Sequence, residues 1–222
     1  MSFVNECVQD SLPIWEECLN TPFLCALAEG TLEEDCLKGY IVEDSLYLRE
    51  YAKVFAWGIL HATTMQEIRT YHSLLSYVNE SEDATRLMYL KRWGITDEQV
   101  QKLPLRPENQ AYIDTMLEAA RSGSGAAECM MACLPCMLSY TWIFERLLKE
   151  HHEVLNTLCG ALVRDYAAPE YALICSEWAN FTDEACKNLS DEQKARCKAI
   201  FRACSEHELN FWRMSAAPRE DI

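Results

Sequence analysis

The sequence predicts an all-α protein that forms one domain over residues 1–222. Seven glycines among 222 residues are few, and the alternation of apolar and polar residues that is typical of strands does not occur. Instead, the pattern of a helix N-terminal capping box occurs four times, a Ser or Thr followed three residues later by Glu or Gln. The four pairs are Thr31 with Glu34, Thr64 with Glu67, Thr96 with Gln99, and Ser190 with Gln193.

Helices are predicted along almost the whole chain, and half of its residues are hydrophobic, which suffices for one sizeable core. The segment "RSGSGAAE" at 121–128 is a flexible turn, too short to link two domains. The predicted helices are 4–28 with a break near Pro22, 32–60, 64–79, 82–93, 97–102, 107–121, 125–150, 152–164, 169–180, 182–188 and 191–215.

Composition limits the partners of the protein. The formal net charge of −15 repels phosphate backbones and anionic lipids, so nucleic acid and membrane surfaces are excluded as expected partners. The N-terminal residues lack a basic segment followed by an apolar run, and the longest apolar run, 128–140, is far shorter than a membrane span. We therefore expect a soluble, cytoplasmic protein that binds a neutral or cationic small molecule.

The chain has twelve cysteines, which in a reducing compartment are expected to be mostly buried free thiols. A zinc site needs four ligands, and the close pair Cys133 and Cys136 has no second pair to meet it. A thioredoxin-type redox pair lies at the start of a helix that follows a strand, and no strand is predicted. No metal or cofactor is therefore expected.

Three predicted helices carry apolar faces that include a residue capable of chemistry. A buried carboxylate costs several kcal/mol without a partner, so an acid on such a face lies at its edge, is held by Arg or Tyr, or belongs to a site. If the three helices converge, Asp44, Glu208, Cys136 and nearby tyrosines line one pocket. The first face is Leu37, Tyr40, Ile41, Asp44, Tyr47, Leu48, Tyr51 and Phe55; the last is Cys197, Phe201, Cys204, Glu208 and Phe211.

The third face contains Cys129, Cys133 and Cys136, and the first two are interpreted as packing residues. Cys136 differs because Pro135 disturbs the helix beside it and can leave backbone groups free to face a ligand. Tyr140 follows one turn later on the same face. Since a thiol is only a few per cent ionised at neutral pH, Cys136 needs activation to act as a nucleophile.

These residues resemble the motifs of the TenA/thiaminase II family. The family pattern PF, then GTL, then Y-x-x-QD-x-x-YL is similar to "TPFLCALAEGTLEEDCLKGYIVEDSLYLREYAKVFA" at Thr21–Ala56. Its PC-x-x-x-Y and E-x-x-FW helices are similar to "LPCMLSYTWIFERL" at Leu134–Leu147 and "SEHELNFWRM" at Ser205–Met214. The resemblance implies a haem-oxygenase-like helical bundle and a homotetramer.

The resemblance also implies hydrolysis of an aminopyrimidine at its exocyclic methylene carbon. The implied substrate is thiamin or 4-amino-5-aminomethyl-2-methylpyrimidine, and the implied product is 4-amino-5-hydroxymethyl-2-methylpyrimidine for thiamin salvage. Cys136 would be the nucleophile, Glu208 would protonate a ring nitrogen, and Asp44 would hold the amino group. Glu208, on an apolar face, is expected to have a raised pKa. The residues that would line and orient the ring are Tyr47, Tyr112 and Tyr140.

Two departures from the family pattern bear on substrate preference. Glu43 stands where the family usually has Gln, and Trp178 stands where the second tyrosine of a Y-x-x-WI-x-x-Y motif, here begun by Tyr171, is common. An alternative function is a non-catalytic pyrimidine-binding or regulatory protein on the same scaffold. A haem protein would need an early histidine, but the first is His61, and no histidine has the Glu three residues before it that a di-iron site needs.

Overall fold

The computed structural model describes residues 1–80, 83–123 and 125–222, and within these ranges the protein is helical without a β-strand. The all-α prediction is therefore confirmed. The helices are α1 (Phe3–Leu19), α2 (Pro22–Glu29), α3 (Glu34–His61), α4 (Met65–Glu80), α5 (Asp83–Arg92), α6 (Asp97–Val100), α7 (Pro107–Ser122), α8 (Ala126–Glu150), a 3-10 helix (His152–Asn156), α9 (Gly160–Tyr166), α10 (Pro169–Cys186) and α11 (Asp191–Ser215).

Three predicted helices have different bounds in the structure. The segment 152–164 is not one helix, because the chain turns at Gly160, where a Cβ atom would lie 2.3 Å from the carbonyl oxygen of Leu155. The predicted break between 180 and 182 is absent, and α10 runs on to Cys186. Thr182 does not cap a new helix there, because its buried hydroxyl donates to the carbonyl of Trp178, 2.8 Å away in the preceding turn.

Three of the four predicted capping boxes are confirmed. At Thr96 and Ser190 the side-chain hydroxyl accepts a hydrogen bond from the backbone N–H of the residue three positions later. The side chain of that later residue in turn accepts a hydrogen bond from the backbone N–H of Thr96 or Ser190. Thr64 and Glu67 exchange the same pair of bonds, at 2.9 and 3.2 Å. The prediction at Thr31 is wrong, because its hydroxyl points back to the end of α2 and α3 begins after Glu33 without a side-chain cap.

Helix α8 lies at the centre of the bundle, in contact with α1, α3, α7, α9, α10 and α11. By length and composition it could cross a membrane, since an 18-residue window within Ala126–Glu150 has a mean hydropathy of 1.3. This corrects the sequence-based estimate that the apolar run is far too short. However, 83% of that window is buried inside the bundle, as in the core helix of a soluble protein.

The predicted apolar faces of α3 and α11 meet around α8. Every residue of both faces is buried, including Asp44 and Glu208, which are 8% and 2% exposed. Aromatic rings fix the approach of the helices: Tyr40 of α3 stacks on Trp212 of α11 at a centroid distance of 5.4 Å, and Tyr140 of α8 lies 5.0 Å from the same Trp212 ring.

Candidate active site

Four helices of the bundle surround one small internal space, and their inward-facing residues come from positions far apart in the sequence. All the gaps between the atoms around this space add up to about 160 Å³. All six residues predicted for the site line it, together with one phenylalanine. They are Asp44 and Tyr47 of α3, Tyr112 of α7, Cys136 and Tyr140 of α8, and Glu208 and Phe211 of α11.

Glu208 is the acid at the back of this space. Burial raises the pKa of its carboxyl group to about 8, and the negative charge of Asp44 adds to the rise. The hydroxyl of Tyr112 donates to Glu208 Oε1 at 2.7 Å, and the carboxyl group is also hydrogen-bonded to the Cys136 thiol. The carboxyl group of Glu208 can therefore bind or release a proton near neutral pH, within reach of a thiol.

The three cysteines of α8 occupy different surroundings. Cys129 and Cys133 are fully buried, and burial raises the pKa of the Cys129 thiol to about 12 and that of the Cys133 thiol well above its usual value. Cys136 is partly exposed, and its thiol is hydrogen-bonded to the carboxyl group of Glu208. Helix α8 continues through Pro135. The backbone carbonyl of Cys133, two residues earlier, accepts a hydrogen bond of 3.2 Å from the hydroxyl of Tyr51.

Tyrosine rings form the side walls of the space. Tyr47 and Tyr112 lie 5.0 Å apart between ring centroids, and Tyr112 is stacked on its other side against His207 at 5.3 Å. Burial raises the pKa of both tyrosines well above the usual range, so their hydroxyl groups stay neutral. They offer flat aromatic surface to a planar ligand.

The sequence analysis did not assign two further residues near this space. Phe211 lines it three residues after Glu208, so the helical spacing that identified Glu208 could have identified Phe211. Tyr40 lies one turn before Asp44, and its hydroxyl donates to that of Tyr140 at 3.2 Å. That bond joins residues 100 positions apart, so the sequence pattern carried no signal for it.

As the side chains stand, no point in the space is wide enough for a water molecule. Binding of an aromatic ring therefore requires the walls to move apart. Asp44 lines both this space and a second cavity of about 280 Å³. We call this second cavity the outer chamber; its walls come from α3, α4, α5, α9 and α10.

The motif that begins at Tyr171 and departs from the family pattern at Trp178 lies outside the internal space. Tyr171 lines the outer chamber, and its hydroxyl contacts the sulfur of Met137 at 3.2 Å. Trp178 lines neither cavity and instead packs edge-on against Phe55 and Tyr77, with centroids 5.4 and 6.1 Å apart. A direct stacking role for Trp178 on a ligand in either cavity is therefore not supported.

Glu43, directly before Asp44, is a second fully buried acid, and cationic groups surround it. The Arg219 guanidinium donates to its carboxylate, and Arg106 Nε lies 3.8 Å from it. The Asn109 amide donates to the same carboxylate at 2.7 Å. Burial raises the pKa of Glu43, while the bond to Asn109 and the two arginines oppose that rise.

The arginines attach the C-terminal segment 216–222 to the bundle. Arg106 donates to the carbonyl of Ala217 at 3.0 Å, and Arg219 reaches past the end of α11 to Glu43 on α3. Gly39 allows this close approach, since a Cβ atom there would lie 3.3 Å from the backbone nitrogen of Arg219. The segment thereby braces the turn of α3 that carries Asp44.

Comparisons with known proteins agree over almost the full length of the chain. The model of the TENA/THI-4/PQQC family matches residues 8–217. A protein of Halalkalibacterium halodurans named aminopyrimidine aminohydrolase is 31% identical, over 97% of this chain and 96% of its own. A Helicobacter pylori protein of the same name is 30% identical, over 93% of this chain and 95% of its own.

Solved structures show the same fold. A TenA family transcription regulator from Silicibacter superposes with a TM-score of 0.87 at 23% identity, and each chain is covered to 97%. A TenA homologue from P. horikoshii superposes with a TM-score of 0.83 at 24% identity, over 97% of this chain and 98% of the other. At these identities the likeness is one of fold alone.

Proposed function

The chain belongs to the TENA/THI-4/PQQC family, and from this premise we propose that it is an aminopyrimidine aminohydrolase of thiamin salvage. The proposed substrate is 4-amino-5-aminomethyl-2-methylpyrimidine, thiamin or both, and the product is 4-amino-5-hydroxymethyl-2-methylpyrimidine. The observation that supports this best is the hydrogen-bonded pair of Cys136 and Glu208 in a space walled by tyrosines. The names of the two relatives point to the same activity.

Glu208 is proposed as the group that activates the pyrimidine ring. A pyrimidine is a poor electrophile, and protonation of a ring nitrogen makes its carbon atoms accept a nucleophile. With a pKa raised to about 8, Glu208 holds a proton at neutral pH and can donate it to that nitrogen. A carboxyl group at its ordinary pKa would already have lost this proton.

Cys136 is proposed as the nucleophile, since its thiol is hydrogen-bonded to the carboxyl group of Glu208, which gives a proton to the ring. As Glu208 gives its proton to the ring nitrogen, it takes the thiol proton, and the sulfur bonds to a ring carbon. The bond from the methylene carbon to the amine then breaks, and the amine leaves as ammonia with the bonding pair and the proton that Glu208 took from the thiol. Water bonds to the methylene carbon and gives a proton to Glu208, and the sulfur finally leaves the ring with its bonding pair and takes the proton that the ring nitrogen releases.

The remaining residues position the ring in this proposal. Asp44 is proposed to accept a hydrogen bond from the amino group of the pyrimidine, because it is the second carboxylate of the space. Tyr47 and Tyr112, whose ring planes are tilted by 39° with centroids 5.0 Å apart, supply aromatic surface, as does Tyr140 of α8. Holding the ring in this way raises the effective concentration of the thiol at the ring carbon.

The test compares two neighbouring cysteines. Purified protein is incubated with the aminomethylpyrimidine or with thiamin, and the hydroxymethylpyrimidine is measured by mass spectrometry. We expect faster release from the aminomethylpyrimidine, almost none with Cys136→Ala, and nearly normal release with Cys133→Ala. Full activity of Cys136→Ala would rule out the nucleophile, and equal damage in both variants would favour a dithiol mechanism. Binding without any turnover would favour the non-catalytic alternative.

A homotetramer and a cytoplasmic location are also proposed. The tetramer is supported by the family resemblance alone, and the location by the twelve free cysteines, which fit a reducing compartment. Light scattering on purified protein measures the first, and a mass near that of one or two chains would contradict it. Fractionation of the source cells measures the second.

A further inference from the structure

His207 has no role in the mechanism so far, although it directly precedes Glu208 on α11 and is partly buried. Consecutive residues of a helix do not share a face, and His207 lies outside the internal space that Glu208 lines. Its ring packs flat against Tyr112, with centroids 5.3 Å and planes 10° apart. The ring of Tyr112 is therefore held between His207 on one side and Tyr47 on the other.

Thr115 of α7 anchors the imidazole of His207. The His207 Nε2 atom lies 2.9 Å from Thr115 Oγ. Thr115 gives its one hydroxyl hydrogen to the carbonyl of Ala111 at 2.9 Å, so its oxygen accepts a hydrogen bond from an N–H group at His207 Nε2. Burial lowers the pKa of His207, while the negative charge of Glu206 opposes this. The imidazole is therefore neutral at pH 7 and carries its hydrogen on the nitrogen that faces Thr115.

Two hydrogen bonds thus connect α7 and α11 side by side. Tyr112 donates to Glu208 at 2.7 Å, and the bond between Thr115 and His207 is 2.9 Å long. Thr115 follows Tyr112 by three residues, so both side chains lie on the same face of α7. The hydroxyl of Tyr112 is at the far end of a ring that turns about two bonds. An anchored, flat neighbour limits those rotations and hence the directions in which the hydroxyl can point.

We propose that His207 is a positioning residue, which holds the ring of Tyr112 so that its hydroxyl stays hydrogen-bonded to Glu208. His207 acts only through Tyr112 and does not touch the reacting atoms. The bond from Tyr112 favours the carboxylate form of Glu208, so a loosened Tyr112 makes Glu208 a weaker acid. Because Glu208 is the proton donor only in the proposed function, this role of His207 rests on that function.

The test replaces the imidazole by a side chain without a flat ring or an N–H group, as His207→Leu. The basic limb of the pH profile of kcat/KM for the aminomethylpyrimidine should move upward by about 0.5 pH unit, and kcat/KM at pH 7 should fall about threefold. The same substitution in Tyr112→Phe should move the limb no further, because the hydroxyl that His207 positions is then missing. Steady-state kinetics of the two single variants and the double variant measure this.

His61→Leu is the matched control. His61 also stacks on an aromatic ring, that of Trp57 at a centroid distance of 6.0 Å, and its Nε2 atom lies 2.8 Å from the carbonyl of Ala120. The substitution removes the same kinds of contact and should leave the pH profile unchanged. If His207→Leu does not fold, Thr115→Val is the second variant. It removes the acceptor of the anchoring bond and should move the limb in the same direction.

Three results would overturn the positioning role of His207. A limb that stays in place in His207→Leu would show that the imidazole does not hold Tyr112. A fall in kcat/KM that comes only from a larger KM would show that it merely supports the wall of the internal space. An equal shift of the limb in the Tyr112→Phe background would show that it acts on Glu208 without Tyr112.

Urea denaturation tests the same role without a substrate. Because the pKa of Glu208 is raised in the folded protein, the stability linked to its proton is lost as pH rises through that pKa. In His207→Leu this loss should occur about 0.5 pH unit higher, as seen in the difference between each protein and its Glu208→Gln counterpart. If the wild type turns nothing over but this shift occurs, the proposed function fails and the positioning role stands. If the wild type turns over and the shift is absent, only the positioning role fails.

Discussion

Glu43 and Glu208 are two buried glutamates of the same bundle, and their surroundings differ in kind. Glu43 is enclosed by Arg219, Arg106 and Asn109, so each of its oxygens meets a donor that favours the carboxylate. Glu208 meets the hydroxyl of Tyr112 and a thiol, both of them neutral, and its pKa is raised to about 8.

The difference between the two acids identifies which of them suits proton transfer. A buried acid that is paired with arginine neutralises a buried cation, and its removal leaves that cation without compensation. A buried acid among neutral donors changes its protonation state near neutral pH. Burial alone therefore does not indicate a catalytic acid. A buried acid that has no cationic partner and lies beside a nucleophile is the better candidate.

The largest expected effect separates the two acids by activity. Glu208→Gln cannot donate a proton and should lower kcat/KM for the aminomethylpyrimidine about a thousandfold, the typical loss on removing a general acid. Glu43→Gln should keep activity within about fivefold at a temperature where it is folded. The measurement is steady-state kinetics at pH 7 for both variants. Similar losses in the two would show that the contrast has no catalytic meaning.

The second effect separates them by stability. Glu43→Gln leaves Arg219 buried without a carboxylate partner on α3 and should lower the free energy of unfolding by about 3 kcal/mol. Replacing both residues, as Glu43→Gln with Arg219→Met, should recover most of that loss. Urea denaturation measures both. An equal loss of unfolding free energy in Glu208→Gln would contradict this contrast between the two acids, because that substitution leaves no buried cation without a partner.

The third effect concerns pH. Because the folded protein holds the Glu208 proton up to about pH 8 and the unfolded chain releases it near pH 4.5, the folded state binds more protons between these values. Stability should therefore fall as pH rises, by about 2 kcal/mol between pH 6 and 8. Urea denaturation of wild type and Glu208→Gln across this range isolates the contribution, since the variant should lack this part of the slope. Parallel slopes would contradict the raised pKa.

The smallest effect concerns the donor to Glu208. The bond from Tyr112 lowers the pKa of Glu208, so Tyr112→Phe should raise it further and move the basic limb of the pH profile of kcat/KM upward. Activity at pH 7 should fall about tenfold, the value of one hydrogen bond to an ionisable group. Tyr71→Phe, which removes a hydroxyl bonded to the Ala126 carbonyl, is the matched control. An unchanged pH profile in Tyr112→Phe would contradict the assignment.

The fold and the internal space could be predicted because both follow from local patterns. Helical spacing placed Asp44 and Glu208 on apolar faces, and an acid on such a face points into the core wherever the helix packs. The capping boxes at Thr96 and Ser190 fixed the starts of α6 and α11 for the same local reason. Convergence of the faces required only that the helices share one core.

Features that depend on distant contacts could not be predicted in this way. The pair of Glu43 and Arg219 joins residues 176 positions apart, and neither sits in a pattern that names the other. The sequence predicted a break between 180 and 182, but α10 continues there and Thr182 donates to the carbonyl of Trp178 in the preceding turn. The outer chamber likewise depends on how α5, α9 and α10 meet.

The exposure of the cysteines makes the protein convenient for chemical labelling. All twelve lie in the described part of the chain; ten are buried, Cys25 is exposed and Cys136 is partly exposed. After Cys25→Ser, Cys136 would be the one thiol in the described part of the chain that is not fully buried, and a reagent would reach it when the walls of the internal space move apart. The rate at which a maleimide attaches would then report directly whether a ligand covers the sulfur, before any product assay exists.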